Sequence, residues 1–254
     1  MLQTGWLGRR FWYYQSLEST SGHLQKMPDE RLSHGLVCLA DHQLHGKGQF
    51  GRTWFASPGE NLMFTMVLRP EINGRLQLIS LAVMLALKET IGLTVACESM
   101  IKWPNDLMVS GKKVAGLLTE CRYNGQYLDR VLLGMGINVN QKTFPPELSD
   151  KATSLYLQAQ GQPVDRSIFL AVLLNRTEPI LEKVEQGDLE LVRSINRSIM
   201  GYGSWVSLSV DGKREETPVK ILGVNEFGYL MVLTANDEVK TFTHEQVRIE
   251  TRSD

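Results

Sequence analysis

The sequence pattern changes at Gly201-Tyr202-Gly203, and this change constrains the architecture more than any other feature. Before it, strand-like runs alternate with apolar stretches long enough for helices. After it come only short alternating runs, namely SWVSLSV, PVKILGV, YLMVLT, VKTFTH and VRIE. We therefore expect two domains, residues 1–200 and a small β-barrel over residues 201–254. Turn-forming residues separate the short runs at Asp211-Gly212, Glu226-Phe227-Gly228 and Asn236-Asp237.

The first 200 residues predict strands and helices in mixed order. Phe11–Tyr14, Leu36–Ala40 and Leu62–Leu68 have strand character. Leu76–Ile91 is apolar on almost every side, which predicts a helix buried against a sheet. Further on we predict two strands within Ile101–Arg122, with a turn at Ser110-Gly111 and an irregular loop at Pro104, and another strand over Val131–Val139. Two helices follow, one over Ser167–Glu185 that is kinked or broken at Pro179 and one over Leu189–Met200.

Composition and charge exclude several kinds of partner. The 254 residues include 27 Lys plus Arg and 28 Asp plus Glu, so a net charge of -1 draws the chain to neither nucleic acid nor an anionic membrane. The longest apolar run, Leu78–Leu87, is about half a membrane span. Cys38, Cys97 and Cys121 form no C-x-x-C pair, which indicates reduced core thiols without a disulfide or zinc site. We expect a cytoplasmic protein without nucleic-acid or membrane partners.

The stretch HGKGQFGRTW, His45 to Trp54, has the spacing G-x-G-x-x-G at Gly46, Gly48 and Gly51. A dinucleotide-binding fingerprint needs a strand directly before these glycines and a helix that begins within them. Polar residues separate the loop from the preceding strand, and Pro58-Gly59 prevents a helix after it. The glycines therefore predict a loop between two strands, whose backbone N–H groups can approach an anion closely.

Three further segments combine glycine, charged, hydroxyl or amide residues on irregular backbone. Each has an ordinary structural explanation, since serines cap helices, cations lie in solvent at strand ends, and tryptophans fill cores. Four such segments in a chain of almost neutral charge nevertheless indicate local chemistry on an anionic ligand. The three segments are 19–21, 102–116 and 134–138.

The motifs KWPNDLMVSGKKVAGLLTE, GKGQFGRTW and GMGINVN resemble, in order and spacing, those of the biotin protein ligases. The similarity runs from about Phe11 into the C-terminal β-domain. It implies an α+β fold, in which a mixed β-sheet flanked by helices, related to the class II aminoacyl-tRNA synthetases, precedes a small SH3-like β-barrel. It also implies a form without an N-terminal DNA-binding domain, because about ten residues precede the first predicted strand.

The same resemblance assigns roles to residues. Lys113 matches the lysine that contacts both biotin and the reacting phosphate, and Arg52 is the second catalytic cation. No metal ligand is assigned firmly; Asp106 is a candidate contact for Mg²⁺ that the polyphosphate mainly holds. The biotin-binding positions are Ser19, Thr20, Ser21, Gln43, Gly46, Lys47, Gly48, Gln49, Lys113 and Gly116. The ATP or adenylate positions are Arg52, Trp54, Lys102, Asn105, Asp106 and Asn138.

Three of these positions depart from the family pattern. Ser21 stands where the family usually has asparagine, and Lys47 and Gln49 stand where arginines are common. Lysine offers a phosphate only a flexible point charge, and glutamine offers no charge. We therefore expect the loop to rely on its backbone N–H groups, Arg52 and Trp54, and to close as a lid over bound ligand.

The implied function is that of a biotin–[acetyl-CoA carboxylase] ligase. Such an enzyme activates biotin with ATP to biotinyl-5′-AMP and transfers biotin to a lysine of the biotin carboxyl carrier protein, as a monomer or homodimer. Two alternatives remain open: a lipoate or octanoyl ligase or transferase on the same sheet, and a non-catalytic biotin- or nucleotide-binding module. The KWPND motif followed by KVAG counts against the first, and Lys113 with Arg52 counts against the second.

Overall fold

A seven-stranded mixed sheet forms the larger part of the computed structural model, which describes residues 1–69, 75–210, 213–215 and 217–250. Its strands are β1 (Phe11–Leu17), β2 (Val37–Gln43), β3 (Leu62–Leu68), β4 (Met100–Lys102), β5 (Asp106–Val109), β6 (Lys112–Asn124) and β7 (Tyr127–Ile137). They lie in the order β1-β2-β3-β7-β6-β5-β4. Only β1 and β2 are parallel, and every other neighbouring pair is antiparallel.

Five helices accompany this sheet in the described residues: α1 (Thr20–Gln25), α2 (Leu76–Thr94), α3 (Leu155–Gln158), α4 (Arg166–Gln186) and α5 (Leu189–Ser198). α2 packs on strands β4, β5 and β6 and against α4 and α5, whereas α1 contacts β2, β3 and β7. α2 is long and apolar enough to cross a membrane, but 72% of the window that passes this test is buried inside the fold. Its apolar residues therefore serve the core between the helices and the sheet.

The last strands form a second, antiparallel sheet. They are β8 (Trp205–Val210), β9 (Lys213–Arg214), β10 (Val219–Val224), β11 (Leu230–Leu233), β12 (Val239–Phe242) and β13 (Val247–Glu250), in the order β12-β11-β10-β8-β13 with β9 beside β8. Leu208, Ile221 and Val232 point inward and join the main hydrophobic core. The buried Trp103 donates a 3.1 Å hydrogen bond from Nε1 to the Gly228 carbonyl, which joins the loop between β4 and β5 to the turn between β10 and β11.

The predicted mixed sheet with flanking helices and SH3-like C-terminal strands is confirmed. Of the two alternatives predicted at Pro179, the break does not occur: α4 continues through Pro179, where Ile180 and Leu181 are buried against the core. One other detail is wrong. Cys121 is exposed near the end of β6 and is not a core thiol. The turn predicted at Asp211-Gly212 lies outside the described residues.

Candidate active site

A cavity of about 600 Å³ lies between the N-terminus of α1, the glycine-rich loop and strands β4 to β7. It gathers segments that are far apart in the sequence, including Ile249 from the second sheet. Every residue assigned to the site by the family resemblance lines this cavity except Gly46. Gly46 is buried behind the wall, where its carbonyl accepts a hydrogen bond from the Trp54 N–H.

At one end of the cavity, neutral polar groups hydrogen-bond to one another. The Thr20 N–H and Oγ1 both donate to Gln43 Oε1, at 2.7 and 3.0 Å. Because the single Thr20 hydroxyl proton is used there, Thr65 Oγ1 donates to Thr20 Oγ1 across 2.8 Å. Ser19 caps α1 by accepting from the Gly22 N–H, and Ser21 is buried beside it. We call this group the hydroxyl end.

The other end is cationic. Lys113, at the start of β6, places Nζ 2.6 Å from Asp106 Oδ1 on β5. Lys102 on β4 is paired in register with Asp106, and Asn105 Nδ2 donates to the Leu117 carbonyl at 2.5 Å. Both charged partners of the Lys113–Asp106 pair keep roughly a quarter to a third of their side chain exposed, at 34% and 26%. We call this group the cationic end.

The glycine-rich loop, residues 46–54, is a short hairpin that we call the finger. Its base is closed by the bond from the Trp54 N–H to the Gly46 carbonyl, at 2.9 Å, and the next rung joins the Gly48 N–H to the Arg52 carbonyl, at 2.7 Å. Its tip is a 3₁₀ turn over Gln49–Gly51. A loop between two strands was predicted here, and the structure shows one with no Rossmann-type helix in it.

Two polar atoms in the cavity wall are buried without a hydrogen-bond partner among the described residues. They are Nε1 of Trp54, which is a donor, and Oδ1 of Asn138, which is an acceptor. Asn138 is held in place because its Nδ2 donates to the Thr153 carbonyl at 3.0 Å. A buried polar atom without a partner is costly, so both atoms carry such a cost in this conformation of the wall.

The sequence motifs did not identify several residues of the cavity wall. Thr65 lies within an apolar strand, where no local signal marks it. A second group comes from the loop after β7, which reaches the cavity because the Lys113 N–H donates to the Lys151 carbonyl and the Lys113 carbonyl accepts from the Thr153 N–H. The wall residues of this loop are Phe144, Leu148, Lys151 and Ala152.

Metal chemistry has limited support from the protein side chains. The described residues contain no group of three His, Cys, Asp or Glu side chains that could hold a metal ion. Asp106 is the one carboxylate among the described residues that line the cavity. This donor set fits a Mg²⁺ ion that keeps most of its ligands from phosphate and water.

Comparison with known proteins relates this sequence and this fold to one family. A sequence model of the Biotin/lipoate A/B protein ligase family matches residues 13–138. The chain is 35% identical over 173 residues to the bifunctional ligase/repressor BirA of Bacillus subtilis, which covers 65% of this chain and 52% of BirA. It is 29% identical over 187 residues to the biotin--[acetyl-CoA-carboxylase] ligase of Mycobacterium tuberculosis, covering 71% of this chain and 67% of that protein. The match thus spans about half the length of BirA.

Solved structures agree over a larger part of the chain. The biotin protein ligase from Aquifex aeolicus in complex with biotin and ATP superposes with a TM-score of 0.83 at 28% identity, covering 95% of this chain and 100% of that one. Its apo structure gives a TM-score of 0.77 at 26% identity, with 95% and 98% covered. The chain belongs to the biotin/lipoate A/B protein ligase family. Its predicted resemblance to the biotin protein ligases in particular is confirmed.

Proposed function

We propose that the protein is a biotin–protein ligase that activates biotin with ATP to biotinyl-5′-AMP, releasing pyrophosphate, and then transfers the biotinyl group to a protein lysine, releasing AMP. The observation that carries the proposal is that one cavity holds both a hydroxyl end and a cationic end, the latter built around the Lys113–Asp106 pair. The ureido ring of biotin needs neutral hydrogen-bond donors and acceptors, whereas the carboxylate of biotin and the triphosphate of ATP need cations. The complex of the Aquifex relative with biotin and ATP supports the same pairing of ligands.

The first step of this reaction explains why cations line the cavity. The biotin carboxylate attacks the α-phosphorus of ATP, so two anions approach each other while pyrophosphate leaves with growing negative charge. Lys113 neutralises the carboxylate and the α-phosphate together, and Arg52 in the finger binds phosphate oxygens through its fixed guanidinium. Trp54 and Asn138 form walls of the nucleotide site. The finger covers the mixed anhydride, which water would otherwise hydrolyse.

Magnesium enters as a companion of the polyphosphate. Mg²⁺ would neutralise part of the phosphate charge, with Asp106 as the single protein carboxylate in reach. For Asp106 to take that role, it must release Lys113 from the ion pair seen here. Substrate binding therefore redistributes Lys113 toward the anions and Asp106 toward the metal.

We further propose the acceptor and the setting. The second step transfers biotin to a lysine of a biotin carboxyl carrier protein, that of acetyl-CoA carboxylase, in the cytoplasm. Residues 1–200 form the catalytic domain, and residues 201–254 form a β-domain that closes one side of the cavity with Ile249. The enzyme acts as a monomer or homodimer.

The test is a reconstituted reaction. The protein is mixed with biotin, MgATP and a biotin carboxyl carrier domain, and intact mass spectrometry follows the carrier. A gain of one biotinyl group, together with biotin-dependent pyrophosphate exchange, supports the proposal. Exchange that does not depend on biotin overturns it. Lipoate and octanoate replace biotin in parallel reactions, and modification with either of them but not biotin would move the protein to the lipoate branch.

A non-catalytic binding module is separated from the ligase by calorimetry. A protein that binds biotin and MgATP but exchanges no pyrophosphate would be such a module. The Lys113→Ala variant serves as the matched negative control, since it should lose exchange while keeping its fold.

A further inference from the structure

Two glycines in neighbouring strands leave a recess in the floor of the cavity. Gly116 on β6 and Gly136 on β7 are direct partners in the antiparallel register. The indole of Trp54 lies in the recess between them. A β-carbon added at Gly136 would stand 2.8 Å from both Cζ2 and Nε1 of Trp54, and one added at Gly116 would stand 3.2 Å from Cζ3. Both distances are too short for a relaxed contact, so no side chain fits under the indole.

Gly134 shows that this is not a general property of the strand. It lies two residues before Gly136, so both project to the same face of the sheet, and both line the cavity. A β-carbon at Gly134 would meet its nearest neighbour, Thr65 Oγ1, at 3.6 Å, and would not approach Trp54. The same strand thus holds one glycine that the indole requires and one that it does not.

Trp54 also closes the base of the finger through its backbone. Its N–H donates to the Gly46 carbonyl, and a β-carbon at Gly46 would stand 2.7 Å from the Trp54 carbonyl oxygen. The backbones of Gly46 and Trp54 therefore lie in close contact, which couples the base of the finger to Trp54. Arg52, two residues before Trp54, is carried by the same rungs.

We propose that Gly136 is a positioning residue for the finger, and that it acts through Trp54. The absent side chain at 136 seats the indole, and the seated indole holds the finger and Arg52 over the cavity. The effect on catalysis rests on the proposed function, whereas the effect on finger position does not. Gly116 supports the same seat and also leaves room for Lys113, whose Cε and Nζ lie 2.9 and 3.0 Å from a β-carbon built there.

The experiment compares five proteins: wild type, Gly136→Ala, Gly134→Ala, Trp54→Ala and the double variant Trp54→Ala/Gly136→Ala. Trypsin cleaves after Lys47 and Arg52, so the rate of these two cuts, measured by mass spectrometry without ligands, reports on finger position. Biotin-dependent pyrophosphate exchange is measured alongside, and urea unfolding checks the fold. Gly136→Ala should raise the rate of both cuts and lower the exchange rate about tenfold, the size typical of coupling between residues in contact.

The controls distinguish a specific contact between Gly136 and the Trp54 indole from general disruption of the fold. Gly134→Ala should leave both cuts at the wild-type rate. In the Trp54→Ala background, Gly136→Ala should have no further effect on cutting or exchange, because the indole it displaces is gone. If Gly136→Ala fails to fold and the double variant folds, the clash with the indole is the cause, which supports the seat.

Three results would overturn the proposal. They are unchanged cutting in Gly136→Ala, equal effects of Gly134→Ala and Gly136→Ala on cutting, or effects of Gly136→Ala and Trp54→Ala that multiply in the double variant. Absence of exchange in the wild type would overturn the proposed function, while the cutting rates would still decide the role of Gly136.

Discussion

The two ends of the cavity hold their polar groups in different ways. At the hydroxyl end, Thr20, Gln43 and Thr65 satisfy one another, and both threonines are buried. At the cationic end, positive charge is in surplus and the central ion pair is open to water. Over the whole cavity, the cations among the described lining residues are Lys47, Arg52, Lys102, Lys113 and Lys151, against the single carboxylate of Asp106. Lys47 lies beside the hydroxyl end, since a β-carbon at Gly22 in α1 would stand 3.5 Å from its Nζ.

This difference separates stability from function. Groups that satisfy one another inside the fold stabilise it, so their loss leaves a buried partner unpaired. Partly exposed charges contribute little to stability, because water already solvates them. Substitutions at the hydroxyl end should therefore lower both stability and biotin affinity, and substitutions at the cationic end should lower the reaction rate in a protein of normal stability.

The largest expected effect is that of Lys113→Ala on the formation of the adenylate. Removal of one group that stabilises the transition state in a closed site typically costs roughly 3 kcal/mol, which is about a hundredfold in rate. The free energy of unfolding should change by less than about 1 kcal/mol, since the Lys113–Asp106 pair is partly exposed. Pyrophosphate exchange and urea unfolding measure the two quantities.

Lys112→Ala is the matched control for this variant. Lys112 is the adjacent residue, does not line the cavity, and donates to the Ser149 carbonyl at 2.9 Å. It should keep normal exchange. Near-normal exchange in Lys113→Ala as well would make Lys113 a surface lysine. It would contradict the claim that the cationic end serves the reaction.

The next effect is that of Thr20→Val at the hydroxyl end. The change keeps the shape of the side chain but removes the hydroxyl between Gln43 and Thr65. We expect the free energy of unfolding to fall by about 1–2 kcal/mol. We also expect the Kd for biotin to rise about tenfold, with no change for MgATP. Urea unfolding and calorimetric titration test this, and equal weakening of both ligands would show that the two ends are not independent.

Local patterns predicted the elements well where sequence neighbours decide the structure. β3 has the predicted bounds Leu62–Leu68, and the turn at Ser110-Gly111 forms with positive φ at both residues, 51° and 77°. α4 differs because tertiary burial around Pro179 outweighs the local tendency of proline to end a helix. Periodicity and turn chemistry carry no information about such packing.

The motifs predicted many of the residues that line the cavity, and other parts of its wall depend on strand order. Thr65 reaches the hydroxyl end because β3 lies between β2 and β7, and Lys151 reaches the cavity through its backbone contact with Lys113. Neither relation is written in a single stretch of sequence. The seat of Trp54 is similar, since the sequence shows Gly116 and Gly136 but not that they face each other across two strands.

Gln49→Arg adds a positive charge to the finger, in the wall of the cavity. A guanidinium can form charge-assisted hydrogen bonds that glutamine cannot, so the free-energy barrier for release of the adenylate should rise by about 1–2 kcal/mol. Less intermediate should then escape to label bystander lysines. Release is measured by chase with unlabelled biotin, and labelling by mass spectrometry.

Arg52→Ala is the counterpart of this variant in the same finger, and it should speed release. If neither Gln49→Arg nor Arg52→Ala changes release, the finger is not the clamp. The phosphates would then be held chiefly from the Lys102 to Lys113 side.

The smallest effect concerns Glu178, a carboxylate that is satisfied within the fold, in contrast to Asp106. Its oxygens accept from the backbone N–H groups of Gly5, Trp6 and Leu7 at 2.5, 2.8 and 2.7 Å, which ties the N-terminal segment to α4. Burial alone would raise the pKa of Glu178, but these hydrogen bonds and the positive charge of Arg9 together outweigh it, and the pKa lies below its ordinary value.

A lowered pKa in the folded state fixes the sign of the pH dependence. The stabilising contribution of Glu178 is complete above the pKa of the unfolded chain, about 4.3, and is lost as the pH falls through the lower pKa of the folded state.

Glu178→Gln should cost about 1 kcal/mol of unfolding free energy at pH 7, since its amide nitrogen cannot accept an N–H, and should flatten the loss of stability below pH about 4. Urea unfolding between pH 7 and pH 3 measures both, while pyrophosphate exchange at pH 7 should stay normal because Glu178 lies outside the cavity wall. A loss of exchange without a loss of stability would show that a carboxylate satisfied inside the fold can still serve the reaction, and would break the division drawn between the two ends.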